Sequence, residues 1–264
     1  MDVTGTLVAA GVIGGVGILV GLLLGKASRV FRVEENETEQ AVREVLPGNN
    51  CGACGYPGCD GLAKAIAEGQ APTNACPVGG PAVAEKVAAI LGGGSEQPTE
   101  RNVAFVHCKG DCDKAKDVYQ YVGPEVCSIA VNTPNGGPKA CTYGCLGYGE
   151  CKSVCEFDAI SMVDGIAVVD PEKCVACGKC VATCPRHLIS LVPAGKTHHI
   201  SCSSHDKGLD VKKACTVGCL GCTLCVKQCP KDAIEMNNNL PVIDYEKCVN
   251  CGACAAKCPA KSIT

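Results

Sequence analysis

The sequence predicts an α+β protein that consists of an N-terminal apolar helix, a small α-helical domain and two copies of one small α+β module. Three observations support this prediction: an uncharged apolar run at residues 7–24, a group of four cysteines at residues 51–76, and eight cysteines whose spacing recurs 74 residues further along the chain. The predicted parts are a helix at 1–28, a helical domain at 34–91, a linker at 92–100, a first module with an insertion at 101–190 and a second module at 191–264.

Cysteine is the unusual component of the composition. The 264 residues include 25 cysteines but only three Phe, six Tyr and no Trp, so large aromatic cores are excluded. Disulfides, zinc sites and iron–sulfur clusters are the three explanations for so many cysteines. A disulfide scaffold is disfavoured, because we expect no cleavable signal and the cysteine count is odd. The formal charge of −3 indicates no nucleic-acid partner.

The apolar run at residues 7–24, extended by residues 3–6, approaches the ~20 residues that span a bilayer. It is preceded by Asp2 and followed by three basic residues: Lys26, Arg29 and Arg32. By the positive-inside rule, we expect a single-pass transmembrane helix in the cytoplasmic membrane, with the cysteine-rich part in the reducing cytoplasm. The alternative is a helix buried in a protein core, which this polar, cysteine-rich chain is poorly equipped to surround.

Apolar residues at helical spacing predict three short helices within residues 34–91. The first is marked by Ala41, Val42, Val45 and Leu46, the second by Leu62 and Ile66, and the third by Val83, Val87, Ile90 and Leu91. Pro47-Gly48 is expected to end the first helix, and Pro81 and Gly92 to bound the third. The glycine-rich stretch at 92–95 then predicts a linker.

Eight cysteines reveal an internal duplication, because each recurs at one constant offset. The first set is Cys141, Cys145, Cys151, Cys155, Cys174, Cys177, Cys180 and Cys184, and the second is Cys215, Cys219, Cys225, Cys229, Cys248, Cys251, Cys254 and Cys258. Upstream of the two sets, Cys108 and Cys202 stand in similar sequence contexts but 94 residues apart. The connecting loop is therefore longer in the first copy.

The second copy contains two complete CxxCxxCxxxCP runs, beginning at Cys219 and at Cys248. In this run, which is typical of bacterial 2[4Fe–4S] ferredoxins, three cysteines bind one cluster and the fourth binds the neighbouring cluster. The predicted ligand sets are therefore Cys219, Cys222, Cys225 with Cys258, and Cys248, Cys251, Cys254 with Cys229. Zinc is the alternative, but these runs exceed what one four-coordinate ion needs. Short strands at 233–234 and 242–244 around a turn at 237–239 agree with a βαββαβ layout.

The first copy lacks one ligand of this pattern, because Tyr148 stands where the second copy has Cys222. One predicted set, Cys174, Cys177, Cys180 with Cys155, is complete. The other has Cys145, Cys151 and Cys184 and needs a fourth ligand. Cys141 is the nearest candidate; the alternatives are Cys108, Cys112, Cys127 and a three-iron cluster without a fourth cysteine.

Four further cysteines form an N-terminal group, Cys51, Cys54, Cys59 and Cys76. Their spacing fits one [4Fe–4S] cluster, and a zinc ion is the alternative. The prediction is therefore about five clusters. A sixth cluster, or alternatively ordinary buried and free thiols, would account for the cysteines outside the complete runs: Cys108, Cys112, Cys127, Cys141, Cys202 and Cys215. None of the five histidines is assigned to a metal.

Signatures of substrate-converting enzymes are missing from the sequence, which has no GxGxxG, Walker loop, flavin signature or Ser/His/Asp set. No catalytic residue is therefore predicted. The chain is expected to carry electrons, and the conversion of substrates to take place on other subunits.

Taken together, the apolar N-terminal helix, the NNCGACGYPGC stretch at 49–59 and the GPKACTYGCLGYGEC stretch at 137–151 resemble the B subunit of the Rnf ion-translocating oxidoreductases. The resemblance covers essentially the whole chain and matches the longer members with two ferredoxin modules. It implies an electron-relay subunit that takes electrons from soluble reduced ferredoxin and passes them to membrane subunits, which couple NAD reduction to Na⁺ or H⁺ export. A membrane-tethered polyferredoxin that serves a hydrogenase or another reductase, without ion coupling, is the alternative.

Overall fold

A computed structural model describes residues 3–30, 36–93 and 100–264. Helix α1 comprises Val3–Val30, and the helices of the N-terminal domain are α2 (Glu37–Val45), α3 (Gly58–Ala67) and α4 (Gly80–Leu91). In the part of the chain that the structure describes, no helix combines the length and apolar character needed to cross a membrane. The predicted basic residue Arg32, the side chains of residues 3–10, 12–13 and 27–30, and residues 94–99 of the predicted linker lie outside the described part.

The three predicted helices of the N-terminal domain are present. Helix α2 begins after Asn36, whose Oδ1 accepts the Thr38 backbone N–H at 3.0 Å, as an N-cap side chain does. Helix α4 ends at Gly92, whose φ of 67° terminates it in the left-handed region. The core of this domain contains the largely buried side chains Val42, Leu62, Ile66 and Val87. Leu91, which was expected on the buried face of α4, is 38 % exposed.

The first module contains two antiparallel strand pairs and three short helices. Its strands are β1 (Asn102–Val106), β2 (Ile160–Val163), β3 (Ile166–Val169) and β4 (Ile189–Pro193), and its helices are α5 (Cys127–Ala130), α6 (Glu150–Ser153) and α7 (Lys179–Thr183). Strand β1 pairs with β4, and β2 forms a hairpin with β3. Apart from α5, which lies in the insertion, this is the predicted β-α-β-β-α-β order.

The second module repeats this layout in a reduced form. Its elements are α8 (Gly208–Ala214), α9 (Leu224–Gln228), β5 (Ile234–Asn237), β6 (Leu240–Ile243) and α10 (Ala253–Lys257). Strands β5 and β6 form the predicted hairpin. The counterpart of the β1–β4 pair is a single antiparallel bridge between Ile200 and Ile263. Its core consists of few residues: Ile200, Cys225, Ile234, Ile243 and Ile263.

The backbone repeats at the same offset as the cysteines. Strands β2 and β5, strands β3 and β6, and helices α7 and α10 each begin 74 residues apart. Rare left-handed conformations at residues other than glycine recur as well, in the pairs Asp158 and Asp232, Ala176 and Asn250, and His187 and Lys261. The two modules are thus two copies of one fold, although the predicted domain boundaries remain predictions.

Histidine side chains join the two modules. His107, at the end of β1, contacts the Ile200 carbonyl through Nδ1 at 2.7 Å. The Phe105 ring packs on the His199 ring with centroids 4.6 Å apart, and His199 Nδ1 lies 2.7 Å from the Tyr245 hydroxyl. These contacts give His107 and His199 structural partners at the junction of the modules.

Candidate metal centres

Four cysteines of the second module line one pocket, which we name the Cys222 site. They are Cys219, Cys222, Cys225 and Cys258. Three come from the loop and first turn of α9, whereas Cys258 directly follows α10, so both halves of the module close the pocket. The Cys258 thiol accepts the Ser262 backbone N–H at 3.3 Å, and burial raises the pKa of Cys225 to about 11. The predicted crossed set therefore surrounds one pocket.

Three cysteines of the second predicted set of this module, the Cys251 site, lie in α10 or in the loop before it, and the fourth directly follows α9. Its cysteines are Cys229, Cys248, Cys251 and Cys254. The Cys229 thiol accepts the Ala233 N–H at 3.3 Å, and the Cys248 thiol accepts the Asn250 N–H at 3.4 Å. Burial raises the pKa of Cys254, and the nearby charges of Cys248 and Cys251 raise it further. Cys251 itself is exposed, as is Cys222 in the neighbouring site.

The complete set of the first module also lines a single pocket, the Cys177 site. Its cysteines are Cys155, Cys174, Cys177 and Cys180. The Cys174 thiol accepts the Ala104 N–H of strand β1 at 3.3 Å, which ties this site to the sheet. Burial, with the charges of Cys174 and Cys177, raises the pKa of Cys180 to about 11.

The incomplete set of the first module is completed by a cysteine from the insertion. The pocket, named the Cys127 site, is lined by Cys127, Cys145, Cys151 and Cys184. Burial raises the pKa of Cys151 to about 12, and the charges of Cys145, Cys184 and Cys127 contribute to this rise. Cys141, the nearest candidate by sequence, does not line this pocket. It lines another pocket, toward the second module.

Backbone and side-chain contacts hold Cys127 beside Tyr148, the position that corresponds to Cys222 of the second module. Burial raises the pKa of Cys127, while hydrogen bonds from the backbone of Glu150 and Tyr148 oppose this rise, so its thiol lies beside the backbone of the Tyr148 loop. The Tyr148 ring packs on Tyr121, with centroids 5.6 Å apart. The Glu150 carboxylate accepts both the N–H and the hydroxyl of Ser128, each at 2.7 Å. The sequence signal for this ligand was Tyr148 combined with an extra cysteine in the insertion.

The N-terminal group is named the Cys54 site, with Cys51, Cys54, Cys59 and Cys76 as its cysteines. Asn50 Oδ1 accepts the Cys59 N–H at 2.7 Å, and the Cys76 thiol accepts the Gly79 N–H at 3.3 Å. Burial raises the pKa of Cys76, and the charges of Cys54 and Cys59 add to this effect, so these three thiols are neighbours.

The Cys54 site adjoins the first module. The pKa of Cys177 is raised mainly by burial, but the charge of Cys51 also contributes to the rise. The same charge acts on Lys179, which pairs with Glu156 at 2.5 Å. Cys51 therefore lies near the Cys177 site.

The remaining cysteines divide into two kinds. Cys108, Cys141, Cys202 and Cys215 line a fourth pocket, the interface pocket, where the two modules meet. Cys112 is exposed and lines none of the four cysteine pockets described here. All 25 cysteines fall within the described residues, and none forms a disulfide.

The chemistry of these sites fits iron–sulfur clusters. Thiolates bind the iron of [4Fe–4S] clusters. Burial favours the protonated thiols, and a bound metal displaces these protons. Backbone N–H groups directed at the sulfurs, as at Cys174, Cys229 and Cys258, stabilise negative charge and tune the reduction potential. Within the described residues, no three His, Cys, Asp or Glu side chains form a group for a single metal ion.

Family models match three parts of the chain. An Fe-S cluster model matches residues 46–78, which include the Cys54 site. A 4Fe-4S binding domain model matches residues 167–190 of the first module, and a 4Fe-4S dicluster domain model matches residues 218–262 of the second. The chain thus carries iron–sulfur and 4Fe-4S ferredoxin-type domains, as predicted.

Relatives resemble the chain over nearly its full length. It is 45 % identical to the B subunit of the ion-translocating oxidoreductase complex of Methanosarcina acetivorans, over 96 % of this chain and 95 % of the relative. It is 46 % identical to the B subunit of the Na⁺-translocating ferredoxin:NAD⁺ oxidoreductase complex of Acetobacterium woodii, over 98 % and 77 %, and 44 % identical to that of the proton-translocating complex of Clostridium ljungdahlii, over 94 % and 88 %. The chain belongs to the family of Rnf B subunits, the electron-transfer subunits of these ion-translocating oxidoreductase complexes.

Proposed function

We propose that the chain accepts electrons from a reduced ferredoxin at its second module and relays them through the first module to the Cys54 site, for transfer to membrane subunits that couple NAD reduction to Na⁺ or H⁺ translocation. The donor, the acceptor and the ions are those in the names of the Acetobacterium and Clostridium relatives. The observation that carries the proposal is the series of cysteine pockets, which begins at exposed thiols of the second module and ends where Cys51 adjoins Cys177.

In this proposal each of five cysteine sets holds one [4Fe–4S] cluster, which supplies a one-electron carrier. The sets are those of the Cys222, Cys251, Cys177, Cys127 and Cys54 sites. For the Cys127 site, four thiols around one pocket favour a four-iron cluster over the three-iron alternative. The chain's own part is to hold the sulfurs, to direct N–H groups at them and to keep neighbouring sites in contact.

Electron entry at the second module is supported by exposure and charge. Cys222 and Cys251 are exposed thiols, whereas the Cys127, Cys145, Cys151 and Cys184 thiols of the first module are partly buried. The second module also carries exposed lysines close in sequence to its cysteine runs: Lys227, Lys231, Lys257 and Lys261. Exposed cations attract an acidic protein donor and raise its association rate.

We further propose that α1 anchors the chain in the cytoplasmic membrane as a single pass, with the modules in the cytoplasm. Support comes from consecutive large apolar side chains that are 59–70 % exposed on α1, namely Leu22, Leu23 and Leu24. A surface of this kind requires an apolar environment. Lys26 follows it and agrees with a cytoplasmic end.

The relay order is tested by replacing Cys54 with Ala in the anaerobically purified complex. The variant should be reduced by ferredoxin at the wild-type rate, but electron transfer to the membrane subunits should be lost. Cys112→Ala is the matched control, because it removes a cysteine outside the proposed ligand sets. Loss of the initial reduction in Cys54→Ala would reverse the proposed order. A colourless protein that contains stoichiometric zinc would refute the electron-transfer function as a whole.

A further inference from the structure

The interface pocket is assembled from equivalent residues of both modules. Cys141 and Cys215 occupy equivalent positions of the repeat. Cys108 follows strand β1, and Cys202 follows its counterpart at the Ile200 bridge. Each module therefore contributes the same pair of cysteines, and the pocket exists only where the two copies meet.

The four thiols face one another across this pocket. Burial raises the pKa of Cys141 to about 11, and the next contributions that raise it are the charges of the other three thiols, Cys202, Cys108 and Cys215. Gly110 permits this approach, since a Cβ at this position would lie 3.1 Å from Cys215 Sγ and 3.9 Å from Cys108 Sγ. The thiols are thus grouped around a common space and are not separate buried side chains.

The pocket has room for a cofactor of the kind proposed for the other sites. The unfilled space, including the mouth of the pocket, is about 480 Å³. The corresponding values are about 360 Å³ at the Cys222 site, 400 Å³ at the Cys127 site and 350 Å³ at the Cys177 site. The space at the interface pocket is therefore no smaller than at the other three sites.

Hydrogen bonds connect the interface pocket to one site in each module. The Cys108 thiol accepts the N–H of Cys145, a residue of the Cys127 site, at 3.4 Å. The Cys202 thiol accepts the N–H of Cys219, a residue of the Cys222 site, at 3.3 Å. It also accepts the Ser204 N–H at 3.5 Å. The two modules thus approach the pocket through the same contact, made by equivalent residues.

We propose that Cys108, Cys141, Cys202 and Cys215 hold a [4Fe–4S] cluster that carries electrons between the two modules. The proposal rests on the proposed electron-transfer function and adds the step that joins its two halves. One electron leaves the Cys222 site, which is oxidised, and enters the interface site, which is reduced; the next transfer reduces the Cys127 site. No bond is made or broken and no proton is required. With this site, 24 of the 25 cysteines, all within the described residues, form six sets of four, and Cys112 remains outside them.

The test is native mass spectrometry and iron determination on the anaerobically purified full chain. Wild type should carry six clusters, with about four iron atoms each. Cys141→Ser/Cys202→Ser should lose one cluster and keep five, and Cys112→Ser should keep six. A wild-type chain with only five clusters, or with zinc bound at the interface pocket, would overturn the proposal. Because this measurement uses wild type, it does not depend on whether a variant folds. Absence of iron from all sites would instead refute the proposed function.

The bridging role is tested by the kinetics of internal transfer. In Cys141→Ser/Cys202→Ser, reduction of the Cys222 and Cys251 sites by ferredoxin should keep its wild-type rate, because these ligand sets are intact. Reduction of the Cys54 site, followed by freeze-quench electron paramagnetic resonance, should slow at least tenfold. An unchanged rate at the Cys54 site, together with the loss of one cluster, would overturn the bridging role.

Discussion

The thiol of Cys127 lies against the backbone of Tyr148, at the loop position where the second module carries Cys222. In the proposed assignment, the insertion supplies the ligand that the cysteine run of the first module lacks, so four thiols line this site. Glu150 fixes the recovered cysteine by binding the N–H and hydroxyl of Ser128, the next residue along the chain.

This arrangement predicts that the fourth ligand can be moved from Cys127 to position 148. Cys127→Ala should convert the cluster of the Cys127 site to a three-iron species or abolish it, because three cysteines remain. Adding Tyr148→Cys to this variant should restore a four-iron cluster, since it recreates the ligand run of the second module. Electron paramagnetic resonance of the oxidised protein detects the three-iron form. A Cys127→Ala protein with an unaltered cluster complement would contradict this ligand assignment.

Buried Lys139 is predicted to raise the reduction potential of two neighbouring sites. Its ammonium group donates to the Gly110 carbonyl at 3.1 Å, and its charge counteracts the raised pKa of both Cys108 and Cys145. A cation favours the reduced, more negative form of a cluster. Lys139→Met should therefore lower potentials by on the order of tens of millivolts in a redox titration. The exposed Lys116 provides the control, and equal potentials in Lys116→Met and Lys139→Met would exclude the effect.

His107 makes the junction of the modules sensitive to acid. Burial lowers the pKa of His107, although its contact with the Ile200 carbonyl opposes this shift. In the unfolded chain the imidazole binds a proton below about pH 6.5, whereas the folded chain resists protonation. This histidine therefore contributes a loss of stability as the pH falls from 7 through 6.5 toward its folded pKa.

The measurement is the guanidinium midpoint under anaerobic conditions at a series of pH values, read from the visible absorbance of the clusters. His107→Gln should show a shallower fall of this midpoint below pH 6.5 than wild type. The exposed His205 supplies a matched variant, His205→Gln, which should keep the wild-type slope. If the His107→Gln and wild-type slopes coincided, His107 would not be the acid-sensitive group.

The proposed membrane anchor is tested by removing it. A chain that begins at residue 36 should appear in the soluble fraction after expression, with its iron content unchanged, because the five cysteine sets and the interface pocket lie beyond this point. The full chain should sediment with membranes and resist extraction by carbonate. A full chain that remained soluble without detergent would refute the anchor.

Most of the fold could be predicted from the sequence because the cysteine spacing repeats, and because each complete run is typical of one ferredoxin-type ligand arrangement. The β5–β6 hairpin and the three helices of the N-terminal domain were predicted from apolar spacing and turn residues, and the structure confirms them. The proposed ligand role of Cys127 was only one of several alternatives. Its position depends on how the insertion folds, and this was not encoded in the spacing of the runs.

The partners of Cys141 could not be predicted for a related reason. By sequence distance it was the nearest candidate for the incomplete set, yet its equivalent Cys215 stands beside a complete set, so other cysteines were candidates as well. In the structure both cysteines line the pocket where the two modules meet. A pocket shared between the two modules depends on how the modules are placed relative to each other. A local sequence pattern does not specify this placement.

The small core of the second module has a consequence for assembly and damage. Five buried residues contribute little to the stability of the module without its cofactor. We therefore expect cluster binding and folding of this module to be coupled. In the proposed ligand sets, Cys229 and Cys258 each bind the cluster of the other run. The loss of one cluster would therefore release a segment that carries ligands of the other cluster. Oxidative damage should therefore destroy the two clusters of this module together. For the same reason, both clusters should be inserted in quick succession during assembly.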